Sequence, residues 1–230
     1  IMLLKIKFVI SVLLLISSNS NAQIESQLFL EGARITDIKQ EGTSIWVATY
    51  GQGVYQYTMK DGKWINFSTK SGNLENDLFH CIAASKDFVW AGASEGLFIY
   101  SKKTKKWTKR KFAQGGEFGN WIRTLQFDEK KNRLWIGRFR NITVFDVKAN
   151  KFTDYNRVIN NDEKTNNFNT IAFDGDSVVW FGAESGVHTY NSKKQITDQS
   201  AWNYFKNSGR YFNAEGVSVS VSDLTFTNKE

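Results

Sequence analysis

The sequence contains no proline and only one cysteine in 230 residues. Ordinary usage would give about eleven prolines in this length, so proline-rich linkers and polyproline segments are excluded. A single cysteine also excludes a disulfide framework and a cysteine-rich zinc site. Aromatic residues, by contrast, make up 15% of the chain and include eight tryptophans, which excludes a disordered protein. We therefore expect a folded domain that needs no metal and no other cofactor.

The first segment has the three-part pattern of a secretory signal peptide. Two lysines precede the apolar run Phe8–Ile16, and the small residues Ser20 and Ala22 flank Asn21 in a cleavage site. The run is too short to span a bilayer, and a buried core strand is the alternative interpretation. We expect residues 1–22 to be a signal peptide cut after Ala22, and the mature protein to be periplasmic or extracellular.

The remaining chain, residues 23–230, is mildly basic. It carries 28 basic and 23 acidic residues, a formal charge of +5. For an exported protein this charge indicates solvation or attraction to acidic glycans, and we expect no nucleic-acid partner. No second apolar run approaches the roughly 20 residues of a membrane helix, so we expect no membrane span in this segment.

A repeat of 44 or 45 residues organises the chain after this segment. Each copy has a tryptophan, a glycine or asparagine six or seven residues later, and an aromatic residue four positions further on. Asparagine is the residue after glycine that best tolerates positive φ, so we expect a tight left-handed turn at that position. The apolar neighbours of the tryptophans predict that they fill the space between repeats, a sugar-stacking surface being the alternative. The repeated tryptophans are Trp46, Trp90, Trp135 and Trp180, and the turn positions are Gly53, Gly96, Asn141 and Gly186.

Each repeat is predicted to form four short strands, because strand-length apolar segments alternate with turn residues and no helical period is present. Four strands in about 45 residues, repeated, are typical of a β-propeller blade. A β-sandwich would explain the short strands but not the repeat. We expect an all-β propeller with blades at about 34–67, 78–112, 120–155 and 167–205, followed by a partial fifth blade at 217–230.

Two segments, Ser71–Leu78 and Val89–Tyr100, resemble the two-component regulator propeller repeat. That pattern runs loosely Gly-Leu-x-x-Asn-x-Val, then Gly-x-Leu-Trp-Ile-Gly-Thr, then Gly-Gly-Leu-x-x-Tyr. Individual copies are degenerate, with Ala48 in place of a glycine and Arg138–Arg140 where small residues are usual. The resemblance implies the extracytoplasmic sensor propeller of a sensor or hybrid histidine kinase, whose ligands are commonly polysaccharide breakdown products.

The resemblance also implies a larger parent protein, because propellers of this family typically have seven blades. We expect the chain to be an N-terminal fragment of a longer sensor, without catalysis of its own. The expected partners are a periplasmic ligand such as an oligosaccharide, a downstream kinase module that starts a phosphorelay, and a second copy in a homodimer. A short stand-alone protein is the alternative.

Three local patterns suggest catalysis or metal binding, but a structural role explains each better. The segment Gly92–Gly96 matches the G-x-S-x-G nucleophile elbow, yet it lies between two strands and a later repeat has a glutamate in place of the serine. His80 is next to Cys81 on a strand, where neighbours point to opposite faces, and His188 belongs to another repeat. The pair Asp174 and Asp176 lacks the further oxygen ligands of a calcium loop, so a hairpin turn is favoured.

The ligand surface is predicted where the repeat is irregular. In an up-and-down blade, the turn between strands two and three and the connection to the next blade emerge on one face. Irregular aromatic and basic residues there would stack on sugar rings and bind carboxylate or sulfate. A propeller lyase or glycosidase, or a structural interaction propeller, remains the alternative function. The predicted ligand residues are Phe118, Trp121, Arg138, Phe139, Arg140, Arg210 and Tyr211.

Overall fold

The computed structural model describes residues 29–113, 118–206 and 223–224. Contacts divide the chain into two compact units, Ile1–Glu31 and Gly32–Glu230, and every described strand lies in the second. Four antiparallel sheets of four strands each account for nearly all of the regular structure among the described residues. In chain order the strands are β1 (Ile35–Glu41), β2 (Ser44–Thr49), β3 (Val54–Thr58), β4 (Lys63–Phe67), β5 (Cys81–Ala84), β6 (Phe88–Ala93), β7 (Gly96–Ser101), β8 (Lys106–Arg110), β9 (Ile122–Asp128), β10 (Arg133–Arg138), β11 (Ile142–Asp146), β12 (Lys151–Tyr155), β13 (Phe168–Asp174), β14 (Val178–Ala183), β15 (Gly186–Asn191) and β16 (Trp202–Phe205).

Each sheet is an up-and-down meander, in which every strand pairs with its neighbour in sequence. The prediction of an all-β propeller with four-stranded blades is confirmed by this topology. The same register recurs from blade to blade: Trp46 pairs with Gln56 in blade 1, and Trp90 pairs with Ile99 in blade 2. Helical structure among the described residues is limited to two short 3-10 turns, Glu163–Asn166 and Gln199–Ala201, and no helix there is long and apolar enough to cross a membrane.

The turn between the second and third strands explains why glycine or asparagine recurs in the sequence. The φ angles at Gly53, Gly96, Asn141 and Gly186 are +76°, +135°, +74° and +91°. Steric space also restricts the residue type at Gly53, because a Cβ atom there would lie 2.1 Å from the carbonyl oxygen of Phe67. The turn therefore needs a residue that tolerates the left-handed region, and at Gly53 it also needs one with no side chain.

The repeated tryptophans form the core between successive blades. Trp46 of blade 1 lies 5.7 Å from the ring of Tyr100 in blade 2, and Trp135 of blade 3 lies 5.6 Å from Tyr190 in blade 4. Trp90 stacks on Phe127 of blade 3, and all three indoles are at most 1% exposed. Burying each contributes roughly 3 kcal/mol. Trp180, in the last described blade, is half-buried and stacks on Phe205 of its own blade.

The first strand of each blade lies innermost, since β1, β5, β9 and β13 contact one another in sequence. A central cavity of about 570 Å³ is lined by residues from all four of these strands. The arrangement brings the beginnings of the first strands close to the centre of the molecule, and side chains at those positions meet even though they come from different blades.

Several sequence predictions lie outside the described residues. These are the signal segment 1–22, residues 114–117 of the connection into blade 3, the ligand residues Arg210 and Tyr211, and all of the fifth-blade segment 217–230 except Asp223 and Leu224. The blade bounds observed in the sheets are 35–67, 81–110, 122–155 and 168–205.

Candidate functional site

One face of the blades carries the long, irregular segments. Strand pairing places Ile35, at the start of β1, opposite Thr49, at the end of β2, while Val54 at the start of β3 pairs with Phe67 at the end of β4. The same face therefore receives the turns between second and third strands and the connections between blades, and we call it the loop face. It comprises the turns 50–53, 94–95, 139–141 and 184–185 and the connections 68–80, 111–121 and 156–167.

Three of the predicted ligand residues meet on the loop face at blade 3. The rings of Trp121 and Phe139 stack with centroids 5.6 Å apart and an interplanar angle of 2°. A backbone hydrogen bond from the Phe139 nitrogen to the Trp121 oxygen, 2.9 Å long, fixes the two segments side by side. Phe118 packs 4.8 Å from Phe139 and is 53% exposed. The connection into blade 3 and its second turn thus build one aromatic surface that reaches solvent.

Arg123 adds a positive charge to this surface. Its guanidinium carbon lies 5.3 Å from the Trp121 ring and 5.7 Å from the Phe139 ring. Its Nη1 donates a 2.6 Å hydrogen bond to Glu184, which also accepts one of 3.0 Å from Asn167. Partial burial raises the pKa of the Glu184 carboxyl, but the hydrogen bonds from Asn167 and Arg123 outweigh it and bring the pKa below its usual value. Arg123 is therefore held in place by an ionised carboxylate.

His80 joins this aromatic surface to blade 1. Its ring lies 5.8 Å from Trp121 on one side and 5.7 Å from Tyr50 on the other, and Arg34 lies 5.0 Å from the Tyr50 ring. Burial lowers the pKa of the His80 imidazole, and the positive charge of Arg123 lowers it further, so the ring is largely neutral at pH 7. A continuous series of side chains results, which we call the aromatic–cationic row. Its members are Arg34, Tyr50, His80, Trp121, Arg123, Phe139 and Phe118.

The row adjoins the central cavity, because His80 and Arg123 line both. A ligand on the row would therefore contact stacked aromatic faces, a fixed guanidinium and a neutral imidazole at the mouth of a sizeable cavity. Such a combination suits a ring-shaped polar molecule with a negative group.

A hydrogen bond of 2.9 Å joins the Nε2 atom of His80 to the Oγ atom of Ser94. Ser94 is in the two-residue turn between β6 and β7, the segment that matches the nucleophile elbow in sequence. A serine nucleophile also needs a group that orients its base. Within the described part of the chain, no carboxylate hydrogen bonds to His80, and the nearby Arg123 opposes formation of an imidazolium. The contact joins the turn between β6 and β7 to the His80 ring.

The two arginines predicted in the same turn have different surroundings. Arg138 is 2% exposed, and its Nη atoms donate hydrogen bonds of 2.6 Å to the Gly119 oxygen and to Asp154. This arginine points inward and ties the connection 111–121 to blade 3, so we leave it out of the ligand surface. Arg140 is exposed at the tip of the turn and remains a candidate.

The other histidine and the cysteine lie in the interior. His188 is fully buried and contacts the Thr165 carbonyl, while Cys81 is 4% exposed and burial raises its thiol pKa well above the usual value. Among the residues that the structure describes, no group of three or more His, Cys, Asp or Glu could hold a metal ion.

No protein-family model matches the chain, and no curated protein matches it in sequence. Solved structures do resemble it. The extracellular domain assigned to the hybrid two-component system BT4673 of B. thetaiotaomicron has a TM-score of 0.64 at 17% identity, covering 81% of this chain and 24% of that one. The corresponding domain of BT3049 from the same organism has a TM-score of 0.57 at 18% identity, covering 75% and 22%.

The WD40 repeats of RRP9 have a TM-score of 0.58 at 12% identity, covering 78% of this chain and 53% of that one. At these identities the likeness establishes a β-propeller fold. The chain spans less than a quarter of the length of either two-component sensor domain.

Proposed function

We propose that the chain is a ligand-binding sensor propeller and that the aromatic–cationic row is its ligand surface. The observation that carries this proposal is the stack of Trp121 on Phe139 with Arg123 held against both rings. The proposed ligand is an oligosaccharide that bears a carboxylate or sulfate group. The proposed module has no catalytic activity of its own.

The chemistry of the row favours an acidic sugar over a neutral apolar molecule. Aromatic faces exposed beside a cation stack on the weakly polar faces of a sugar ring, while a guanidinium binds an oxyanion through paired N–H donors. Glu184 holds Arg123 through one guanidinium nitrogen, Nη1, and the described contacts leave other N–H donors of this group for a ligand.

Signalling is proposed from the solved structures that the chain resembles. Two of them are extracellular domains assigned to hybrid two-component systems, which supports a role as the input domain of such a system. The proposed context is an exported protein, periplasmic or extracellular, whose signal is passed to a downstream kinase module, with a second copy as a partner in a homodimer. Reading the gene beyond Glu230 tests this context, because a stop codon with no neighbouring kinase gene would contradict it.

Calorimetric titration with acidic and neutral oligosaccharides tests the ligand surface. Trp121→Ala should weaken an observed affinity about thirtyfold, the effect of removing an interface residue worth about 2 kcal/mol. Trp64→Ala is the matched control, since this half-buried tryptophan lies near the opposite end of blade 1. If wild type and Trp121→Ala bind an oligosaccharide with equal affinity, the row is not the ligand surface.

One observation favours an enzyme, a polysaccharide lyase, as the second candidate. The neutral His80 and the Tyr50 phenol lie side by side between Arg34 and Arg123. An imidazole nitrogen could take the proton from the carbon beside a uronate carboxylate, while the phenol protonates the departing glycosidic oxygen as a carbon–carbon double bond forms. Incubation with acidic polysaccharides distinguishes the candidates, because only a lyase produces the ultraviolet absorbance of the unsaturated sugar.

A further inference from the structure

A second cleft lies between blades 3 and 4 and extends along β12 from the face opposite the loop face. It has a volume of about 450 Å³, within the range of small-molecule sites. Arg133 at the start of β10 and Tyr190 near the end of β15 lie toward the face opposite the loop face, whereas Tyr155 is the last residue of β12, at the loop-face end of that strand. Tyr155, Val144 and Ile196 add aromatic and aliphatic surface. The cleft is therefore a partly apolar pocket and not only a gap between charged turns.

The charge of this cleft is strongly unbalanced. Five basic side chains line it against one carboxylate, that of Asp146, which leaves a formal excess of +4. Asp146 is exposed, and its Oδ1 atom accepts a hydrogen bond from the Ala149 nitrogen within its own turn. The basic residues are Lys131, Arg133, Lys151, Lys193 and Lys194.

Arg133 stands at the centre of this charge. No ion pair or hydrogen bond links its guanidinium to any residue within the described ranges, although it is half-buried. Its positive charge lowers the pKa of the Tyr155 and Tyr190 phenols, against a larger rise caused by burial, which shows that it acts on both walls. Burial lowers the pKa of the neighbouring Lys131 ammonium, Asp128 opposes this shift, and Arg133 adds to it by less than Asp128 opposes it. Two cations are thus held close together, and strand pairing places Asp128 of β9 and Asp146 of β11 opposite Arg133.

The other blades show that this arrangement is not a requirement of the fold. The position of Arg133, two residues before the repeated tryptophan, is occupied by Ser44, Phe88 and Val178 in the other described blades. The equivalent cleft between blades 1 and 2 contains Ser44 in place of an arginine and three lysines against one carboxylate, that of Glu41, which pairs with Lys102. The Lys131 ammonium donates a 2.7 Å hydrogen bond to the carbonyl oxygen of Ser192.

We propose that the cleft between blades 3 and 4 binds a small molecule through a sulfate or phosphate group, with Arg133 and Lys131 as its main ligands. A tetrahedral oxyanion can accept several hydrogen bonds at once, which matches a guanidinium beside an ammonium. The rest of the molecule would lie against Tyr155 and the aliphatic wall. The two main ligands, Arg133 and Lys131, lie at the start of β10 and in the turn before it, away from the loop face, so neither belongs to the aromatic–cationic row.

Calorimetric titration of the full chain tests whether the cleft binds an oxyanion. The three ligands are a monosaccharide sulfate, the matching monosaccharide phosphate and the neutral monosaccharide, all at constant ionic strength. We expect at least one ester to bind and the neutral sugar not to bind, and the stronger ester identifies the oxyanion. Arg133→Ser introduces the residue found in blade 1 and should weaken binding roughly ten- to hundredfold, the usual effect of losing a charge-assisted pair. Lys103→Gln removes an exposed charge from the turn after β7, outside the cleft, and should change nothing.

Failure of both esters to bind more tightly than the neutral sugar would overturn the proposal. So would an Arg133→Ser variant that keeps its thermal unfolding temperature and binds like wild type. If Arg133→Ser does not fold, Lys151→Gln provides the same test, because Lys151 is exposed at the edge of the cleft and its loss should weaken binding severalfold. An affinity unchanged in Lys151→Gln and equal to that of Lys103→Gln would then overturn the proposal.

Discussion

Acidification should destabilise this protein through one buried histidine. His188 on β15 is 0% exposed, with its ring 5.7 Å from Phe168 and 4.8 Å from Tyr204. Its Nε2 atom lies 2.7 Å from the Thr165 carbonyl oxygen, which can only accept, so this nitrogen carries the proton of the neutral ring. A second proton would have to bind Nδ1, which is buried and has no hydrogen-bond partner in the described structure. Burial lowers the pKa of His188 from 6.5 to about 4, the Thr165 contact opposing the shift and Arg157 adding to it.

The size of this acid destabilisation follows from proton linkage. Between pH 6.5 and pH 4 the unfolded chain binds a proton at His188 that the folded protein does not bind, so the free energy of unfolding falls as the pH falls through this window. With these two pKa values, the loss is about 2 kcal/mol between pH 7 and pH 5, and about 3 kcal/mol by pH 4. This is a large part of the 5–15 kcal/mol that typically stabilises a folded protein.

Urea unfolding of wild type and His188→Gln at several values between pH 7 and pH 4 measures the effect. The variant should be less stable than wild type at pH 7, because the amide fits the aromatic pocket less well. Its stability should nevertheless fall less steeply with acid. The difference between the two slopes isolates His188 from His80, whose pKa is also lowered and which titrates in both proteins. Parallel pH profiles would refute the assignment of a depressed pKa to His188.

Two further predictions concern the repeat itself. Gly53→Ala should destabilise the protein by about 3 kcal/mol, because the strain of a left-handed backbone adds to a clash between the new Cβ atom and Phe67. Gly42→Ala should destabilise it by only about 1 kcal/mol, because Gly42 has a φ of +56° but no atom within 4 Å of the new Cβ position. Equal losses in chemical denaturation would contradict the steric part of this explanation. Trp135→Ala should cost about 4 kcal/mol by opening a cavity between blades 3 and 4. Trp64→Ala, at a half-buried position, should cost less than half of that in the same assay, and a larger loss would show that the inter-blade tryptophans are not the main core.

The fold could be predicted because the sequence pattern that specifies it repeats with a constant period. A tryptophan, a left-handed turn and an aromatic residue at constant spacing determine strand length, strand order and the face that each strand buries. The proximity of Trp121 and Phe139 was also predictable, since the topology brings a connection and a turn to one face. Arg138 shows the limit of such reasoning. Topology places its backbone on the loop face, but the pairing with Asp154 that turns its side chain inward depends on local packing.

Four of the seven residues of the aromatic–cationic row were not predicted, for a related reason. Arg34, Tyr50, His80 and Arg123 lie at the ends of regular strands, where the repeat gives no sign of irregularity. They meet because first strands are innermost and neighbouring blades converge there, which is a property of the ring and not of any single repeat. The sequence signal for such a site lies in the residues at the start of successive first strands as well as in the irregular loops.

The position of the row across blades bears on how a ligand could produce a signal. Tyr50 belongs to blade 1, His80 to blade 2, and Trp121 and Arg123 to blade 3, and Arg123 is held by Glu184 of blade 4. Repeat proteins are stabilised mainly by contacts between neighbouring repeats. A ligand that contacts several blades at once therefore strengthens their interfaces together, by about 2.7 kcal/mol when its concentration is a hundred times the dissociation constant. Since this free energy acts between blades, it can change their relative packing, and a site confined to one blade would lack that effect.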